Sequence, residues 1–276
     1  MTSLPKIRLL AIILLAITIG ATLFANFLAP AGYEHQFRES PNASPSNKHL
    51  LGTDDLGRDR FARLLYGARV SLLLAPLAAA LSTVLAAFVG GLAGYFGGWL
   101  ERMALVVMDL FLSIPWIFLL ISVRAVLPLN ISPQSSVIVT FLLLGSLGWA
   151  ASARIVCAGT RSLMKSDFVA LARATGFSGS RLVRLHLLPN LRGTLLAQFW
   201  ISIPVFIITE ANLGALGLGV SEPLPSLGSL LRELQNVVTL RPEPWRFIPL
   251  AVLVIVVSSF EILLNRSSNS FSEVRA

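Results

Sequence analysis

Asp167-Phe-Val-Ala-Leu-Ala-Arg-Ala-Thr-Gly176, continued by Arg181-Leu-Val-Arg-Leu-His-Leu-Leu-Pro189, is a basic, amphipathic stretch set between two long apolar runs. Its first part reads as a short helix, with Ser166 or Asp167 suited to cap the N-terminus and Gly176 suited to the C-terminal stop. The second part reads as another amphipathic helix leading back to the apolar run. A helix–Gly–helix elbow suits docking into a groove on a partner. It equally suits an interfacial helix lying on anionic lipid, and spacing alone leaves both readings open.

Working outward, the flanks explain the composition. The 276 residues are 55% hydrophobic and 13% charged, with mean hydropathy +0.76. Soluble domains carry about 25% charged residues, so the chain is read as a membrane protein, neither disordered nor a soluble enzyme. A helix needs about 20 apolar residues to cross the hydrocarbon core. Six runs qualify: Leu9 to Ala29, Val70 to Leu100, Met103 to Val123 (interrupted by Asp109 and Pro115), a run within Ala125 to Ala153 starting near Ser135, one beginning at Thr194 to Thr209, and Phe247 to Leu264. The first is expected to be a retained anchor rather than a cleaved signal, because its apolar part exceeds the usual 7–15 residues of a signal core (about that range).

Six spans put both termini on one side, expected to be the cytoplasm. On that assumption the inner segments hold twelve of the 22 basic residues and the outer segments ten. The concentration is the stronger sign: Arg154 to Arg192 carries seven basic residues and one acid. The formal charge of +8 is therefore read as basic loops at the membrane and not as a nucleic-acid footprint. The lone Cys157 excludes an internal disulfide and is read as a packed thiol.

The resemblance now has its residues. The elbow is similar to the EAA loop of ABC-transporter permeases: Ala170-Leu171-Ala172 stands in the E-A-A place, Gly176 is the glycine, and Leu188-Pro189 closes the pattern. Ala170 replaces the usual Glu. Asp167, Arg173 and Ala174 belong to the same coupling loop. Two further segments resemble permeases of the dipeptide/oligopeptide/nickel family, C type. One is His49-Leu-Leu-Gly52-Thr53-Asp54-Asp-Leu-Gly57-Arg58-Asp59, followed by Arg63, Gly67, Arg69 and Ser71. The other is Glu210-Ala-Asn-Leu-Gly-Ala-Leu-Gly217-Leu-Gly219-Val220, followed by Pro223, Pro225, Ser226 and Gly228, read as an outer loop after the fifth span. The end of the chain departs from the family, with Glu261-Ile-Leu-Leu-Asn265 and a Ser/Asn-rich tail.

The resemblance implies an all-α, six-span, type I ABC importer permease fold. It implies an N-terminal anchor and outer loop over 1–68, an ABC transmembrane type-1 domain over 69–264 and a cytoplasmic tail over 265–276. It implies half of a path for peptides or nickel-type solutes across a bacterial inner membrane, with a second permease in a heterodimer, two ABC ATPases and an extracytoplasmic substrate-binding protein. No cofactor is expected on this chain. No Walker A pattern occurs, so ATP is expected on the partner ATPases, whose closure would move the 167–176 helix as a lever. Membrane lipid is an expected partner and nucleic acid is not. The rival is an ion-gradient-driven secondary transporter, which would show inverted repeats and converging mid-membrane charges; neither is evident.

Other residues have plainer readings. Gly214, Gly217 and Gly219 follow a span, not a strand, and are read as tight backbone packing or a re-entrant turn. Gly90, Gly94 and Gly98, four apart, allow close helix approach. Asp109 is expected to be satisfied near the inner interface, Arg154 to snorkel to the headgroups, and Glu210 to make a structural hydrogen bond. Asp54, Asp55 and Asp59, with Arg58, Arg60 and Arg63, suggest a charge-paired outer helix cap rather than a metal loop. His35 and His49 are read as exposed or locally hydrogen-bonded, and His186 as non-catalytic.

Overall fold

The computed structural model describes residues 3–126, 132–235 and 243–273. Arg241 and residues 274–276 of the expected tail, with Arg275, lie outside the described residues. Among those described, helices and turns account for the regular structure, with two isolated antiparallel bridges, Gln36 to Arg58 and Thr53 to Asp59.

The helices are α1 (Ser3–Leu23), α2 (Ala25–Leu28), α3 (Arg60–Phe96), α4 (Gly98–Ser113), α5 (Trp116–Val126), α6 (Pro133–Leu147), α7 (Ala150–Met164), α8 (Asp167–Ala174), α9 (Gly179–Leu182), α10 (Leu188–Ala215), α11 (Leu227–Leu231) and α12 (Ile248–Glu273). Five stretches are long and apolar enough to cross a membrane: Lys6–Leu23, Arg60–Phe96, Pro133–Met164, Gly179–Ala215 and Pro244–Leu264. The pair α4 and α5 supplies a sixth, bent by 85°. Pro115 causes that bend. A residue before proline is pushed out of the helical region, and Ile114 has φ −88° and ψ 125°. The chain restarts at Trp116, where Pro115 O accepts from the Phe118 and Leu119 amides at 2.9 and 3.3 Å.

Several span boundaries differ from the expectation. The second span starts at Arg60, ten residues before Val70, because Asp59 caps it: its Oδ1 accepts the Ala62 amide at 2.8 Å. It ends at Phe96, not Leu100, since Gly97 and Gly98 take positive φ and turn the chain into α4. Gly98 therefore leaves the glycine stripe. The last helix runs past Leu264 to Glu273.

The chain divides into two compact units. The first comprises Met1–Ala75, Arg124–Phe141 and Pro204–Ala276. Within it α1 packs along α12, and Arg8 Nη2 donates to Leu263 O at 3.3 Å. Small Ala11 is buried, while Leu9, Ile12 and Ile17 are exposed. Lipid tails are as apolar as these side chains, so close backbone approach, not hydrophobic burial, holds such a pair.

The second unit comprises Pro76–Val123 and Leu142–Ile203. Here α3 and α7 cross at Gly90 and Gly94. A Cβ on Gly90 would lie 2.2 Å from Ala153 O, and one on Gly94 would lie 2.6 Å from Cys157 O. Cys157 is buried at this crossing. Met108, Ala86, Ala150 and Ala153 form the adjacent core, flanked by Phe111 and Trp149.

Candidate functional site

The elbow belongs to the second unit. Val169 and Ala172, three apart on α8, are buried against Leu182 and Leu187, with Leu163, Phe177 and Tyr95 around them. This leaves the opposite face outside: Leu171 is 66% exposed, and Phe168, Ala170, Arg173 and Ala174 are also exposed. Ser166 occupies the N-cap position, but its hydroxyl donates back to Leu163 O rather than capping, and Asp167 contributes charge in the first turn.

The stop is a Schellman motif. The Phe177 amide bonds Ala172 O at 3.1 Å and the Gly176 amide bonds Arg173 O at 3.0 Å. Gly176 sits at φ +82° with open space where a Cβ would lie. Backbone conformation alone, not crowding, asks for glycine there.

The second arm corrects the expectation of a separate helix. Gly179 to Ala215 forms one continuous stretch into the fifth span. Val183–Leu187 is a π turn, in which the Leu188 amide reaches Val183 O. The proline of the closing Leu188-Pro189 pair lacks an amide and crowds the carbonyl four residues back; widening the preceding turn relieves that conflict. His186 stacks near Phe168 and Phe177, and the Arg181 guanidinium lies 4.4 Å from the Phe177 ring centre. Leu185 and Leu188 are exposed, so the elbow presents aliphatic side chains among arginines.

The two motifs around Asp54 and Glu210 fold into the first unit. Gly52 and Gly57 hold positive φ, and a Cβ on Gly57 would lie 2.4 Å from Phe37 O. The Thr53 hydroxyl donates to Ser40 O and accepts the Ala43 amide. Asp54 Oδ1 accepts the Leu56 and Arg58 amides at 3.0 and 2.7 Å, and its Oδ2 takes Arg58 Nε at 2.6 Å. Asp59 pairs with His49 Nδ1 at 2.9 Å, and His49 is buried rather than exposed.

Arg58 and Arg63 converge on Glu222, at 2.7 and 2.9 Å. Arg60 turns away from the aspartates to pair with Glu233. Burial on its own raises the Glu222 carboxyl, but hydrogen bonds and charge from Arg63 and Arg58 outweigh it and hold the group below its ordinary range. Among the described residues no group of three His, Cys, Asp or Glu could hold a metal.

Glu210 lies inside α10, not in a loop, and is fully buried. Ser71 Oγ donates to its Oε2 at 2.8 Å while accepting the Leu227 amide at 3.1 Å. Gly217 ends the helix, its amide bonding Gly214 O and the Leu218 amide bonding Leu213 O. Gly214 and Gly228 meet backbone to backbone, and Gly219 lies against Gly214. Arg124, a basic residue that its sequence context does not single out, is 2% exposed, donating from Nε to Leu218 O at 3.0 Å and from Nη2 to Ser136 Oγ at 3.2 Å. It pins the glycine-rich turn. An arginine directly after an apolar run was its only trace in the sequence. Arg154, expected to snorkel, instead pairs with Asp109 at 2.5 Å.

Comparison with known proteins gives this geometry its relatives. Residues 67–270 match the family model described as binding-protein-dependent transport system inner membrane component. The oligopeptide transport system permease protein of Mycobacterium tuberculosis is 34% identical over 230 residues, covering 83% of this chain and 77% of that protein. The oligopeptide permease of Bacillus subtilis is 30% identical, covering 94% and 82%. The glutathione transport system permease of Escherichia coli is 32% identical, covering 90% and 80%. An inward-facing methionine ABC transporter structure superimposes with TM-score 0.55 at 21% identity, covering 76% of this chain and 96% of that one, so the likeness there is one of fold. The helical fold with five or six spans, the family match and these relatives agree: the chain belongs to the binding-protein-dependent transport system inner membrane component family of ABC permeases.

Proposed function

We propose that this permease subunit forms half of a peptide path and takes its energy from ABC ATPases carried on separate chains, docked at the elbow. The carrying observation is the elbow's division of faces: Val169 and Ala172 are locked inward while Phe168, Leu171 and Arg173 stay outside. A helix so anchored transmits a push on its exposed face into α7 and α10, which flank it. The Arg-rich surface favours a partner groove with acidic groups at its rim.

Orientation follows from the same charges: the elbow and both termini lie in the cytoplasm, and the Glu222 network lies outside, where a substrate-binding protein docks. Peptides are the cargo that the oligopeptide and glutathione relatives favour, with nickel-type solutes as the other class. A groove of about 640 Å³ with an almost wholly apolar lining, from Val84 to Tyr95 and from Val183 to Leu195, offers a surface to a second, non-identical permease. Residues 1–68 serve as anchor and outer loop, 69–264 as the permease domain and 265–276 as tail.

Gly176→Val tests the coupling. A β-branched residue at positive φ costs about 1–3 kcal/mol locally. The variant should reach the membrane and assemble, yet lose most ATP-driven uptake while the ATPases still turn over. Wild-type uptake would refute the elbow as the coupling element. Co-purification of ATPase chains, lost on Leu171→Glu, checks the docking face directly.

A further inference from the structure

On the exposed side of the α4–α7 seam stand two ion pairs that neither the elbow nor the outer motifs use. Asp109 Oδ1 meets Arg154 Nη1 at 2.5 Å, and Glu101 Oε1 meets Arg161 Nη1 at 2.9 Å. The acids are eight residues apart on α4 and the bases seven apart on α7, so the rungs lie two helical turns apart on antiparallel helices. Beside them runs a groove of about 450 Å³, lined by Leu105, Cys157, Ala158, Ser162 and Lys165 together with Glu101 and both arginines. Arg154 and Asp109 are each just over half exposed, at 55% and 53% of the side chain.

Charge dominates this face, which makes it a poor neighbour for lipid tails. The exposed positions of α7 are Ala151, Arg154, Ile155, Ala158, Arg161 and Ser162, with Lys165 at its C-cap, whereas α3 exposes Leu77, Val84 and Phe88. Asp109 is eleven residues into α4 and Arg154 ten from the end of α7. At about 1.5 Å per residue each lies roughly 15 Å along its helix. Ionisable side chains inside a membrane-spanning segment face a bundle interior or a watery cavity. Half-exposed charges with a groove between them fit water better than a packed helix, which would leave them desolvated.

Resting on the importer reading above, we propose that the Asp109–Arg154 and Glu101–Arg161 rungs line the aqueous path and bind a zwitterionic solute, the arginines taking its carboxylate and the acids its ammonium. Ion pairs whose arginines are half open to water can exchange partners with a passing solute at little net cost, because every charge stays paired. Arg154, Arg161 and Lys165 line this groove against Glu101, with Asp109 paired to Arg154 beside it, and leave it net positive, so the carboxylate end is held the more strongly.

The test uses the assembled transporter in inside-out vesicles with an Ala158→Cys substitution, labelling being counted above that of the unsubstituted transporter, whose Cys157 lies buried beside the groove. Membrane-impermeant thiosulfonates, one cationic and one anionic, should both label the introduced thiol, the anionic one about threefold faster or more. Arg154→Gln should remove that preference. Trialanine with free ends at saturating concentration should slow labelling about threefold or more, and N-acetyl-trialanine amide should not. Labelling by membrane-permeant maleimide alone would overturn the proposal, placing this face against lipid or a partner helix. Equal labelling with and without trialanine would overturn the solute role. If wild-type vesicles transport while the thiol stays unlabelled, this inference fails and the importer reading stands; if no ATP-driven uptake occurs in wild type, the importer reading itself fails.

Discussion

In the first unit one set of charged side chains is buried and tied to one another or to backbone; in the second, Asp109 and Arg154 pair at half exposure and the elbow arginines lie at the surface, Arg181 over the Phe177 ring. Asp54, Asp59, Arg63, Arg124 and Glu210 are each at most 2% exposed except where they touch, whereas Arg154 and Arg161 are 55% exposed by side chain. The same residue types thus serve opposite ends. A buried network of paired charges has few low-energy arrangements, because a slip leaves a charge unpaired away from water. Exposed pairs can part and re-form, which a surface that moves against partners or solutes requires.

The comparison breaks first at Asp54. Asp54→Ala removes the carboxylate that holds two backbone amides and Arg58, leaving buried guanidinium groups with Glu222 alone. Breaking a buried pair costs about 3–5 kcal/mol. Thermal unfolding in detergent should drop sharply and the membrane level should fall. A variant as stable as wild type would show that the first unit does not depend on its charges. Gly176→Val comes next: its expected loss is large in coupling and small in stability, the reverse of Asp54→Ala.

These contrasts also show what the sequence made legible. The Schellman stop at Gly176 was readable because φ and capping are local, set within five residues. The hydrogen-bonded role of Glu210 was readable because a lone acid in an apolar run demands a partner. Its partner, Ser71, was not: it lies 139 positions away and nothing in local spacing names it. The same holds for Glu222 with Arg58 and Arg63, which joins two motifs seen separately. Arg154 was misjudged because snorkelling is the default for an isolated arginine, and only the antiparallel placing of α4 beside α7 brings Asp109 within reach. Pro115 was seen as an interruption, but its 85° consequence came from the chain's need to restart a helix after an extended residue.

A smaller effect sharpens the first unit. Glu222 is held below its ordinary range, so its pairing stabilises fully above the ordinary carboxylate pKa of about 4.3 and fades as pH falls through its lower folded value. The gap in unfolding temperature between wild type and Glu222→Gln should hold from neutral pH down to about 4.3, narrow below that and vanish once pH lies under the folded value. A gap independent of pH would assign the effect to packing of the side chain rather than to its charge.

The smallest expected effect lies in the second unit. Arg161→Gln opens the Glu101 rung, whose arginine is mostly in water. Exposed pairs contribute about 0–1 kcal/mol, because solvent screens the attraction and both side chains regain rotamer freedom on release. Unfolding of the Arg161→Gln, Glu101→Gln and double variants should therefore give a coupling energy of about 0.5 kcal/mol or less. A coupling of about 3 kcal/mol would mean that the rung is desolvated in the assembled transporter. The α4–α7 face would then be desolvated as the Asp54–Arg63 network is, and the contrast between the two units would collapse. A small coupling together with altered uptake would instead locate the role of Arg161 in what passes over it, since the fold does not need the pair.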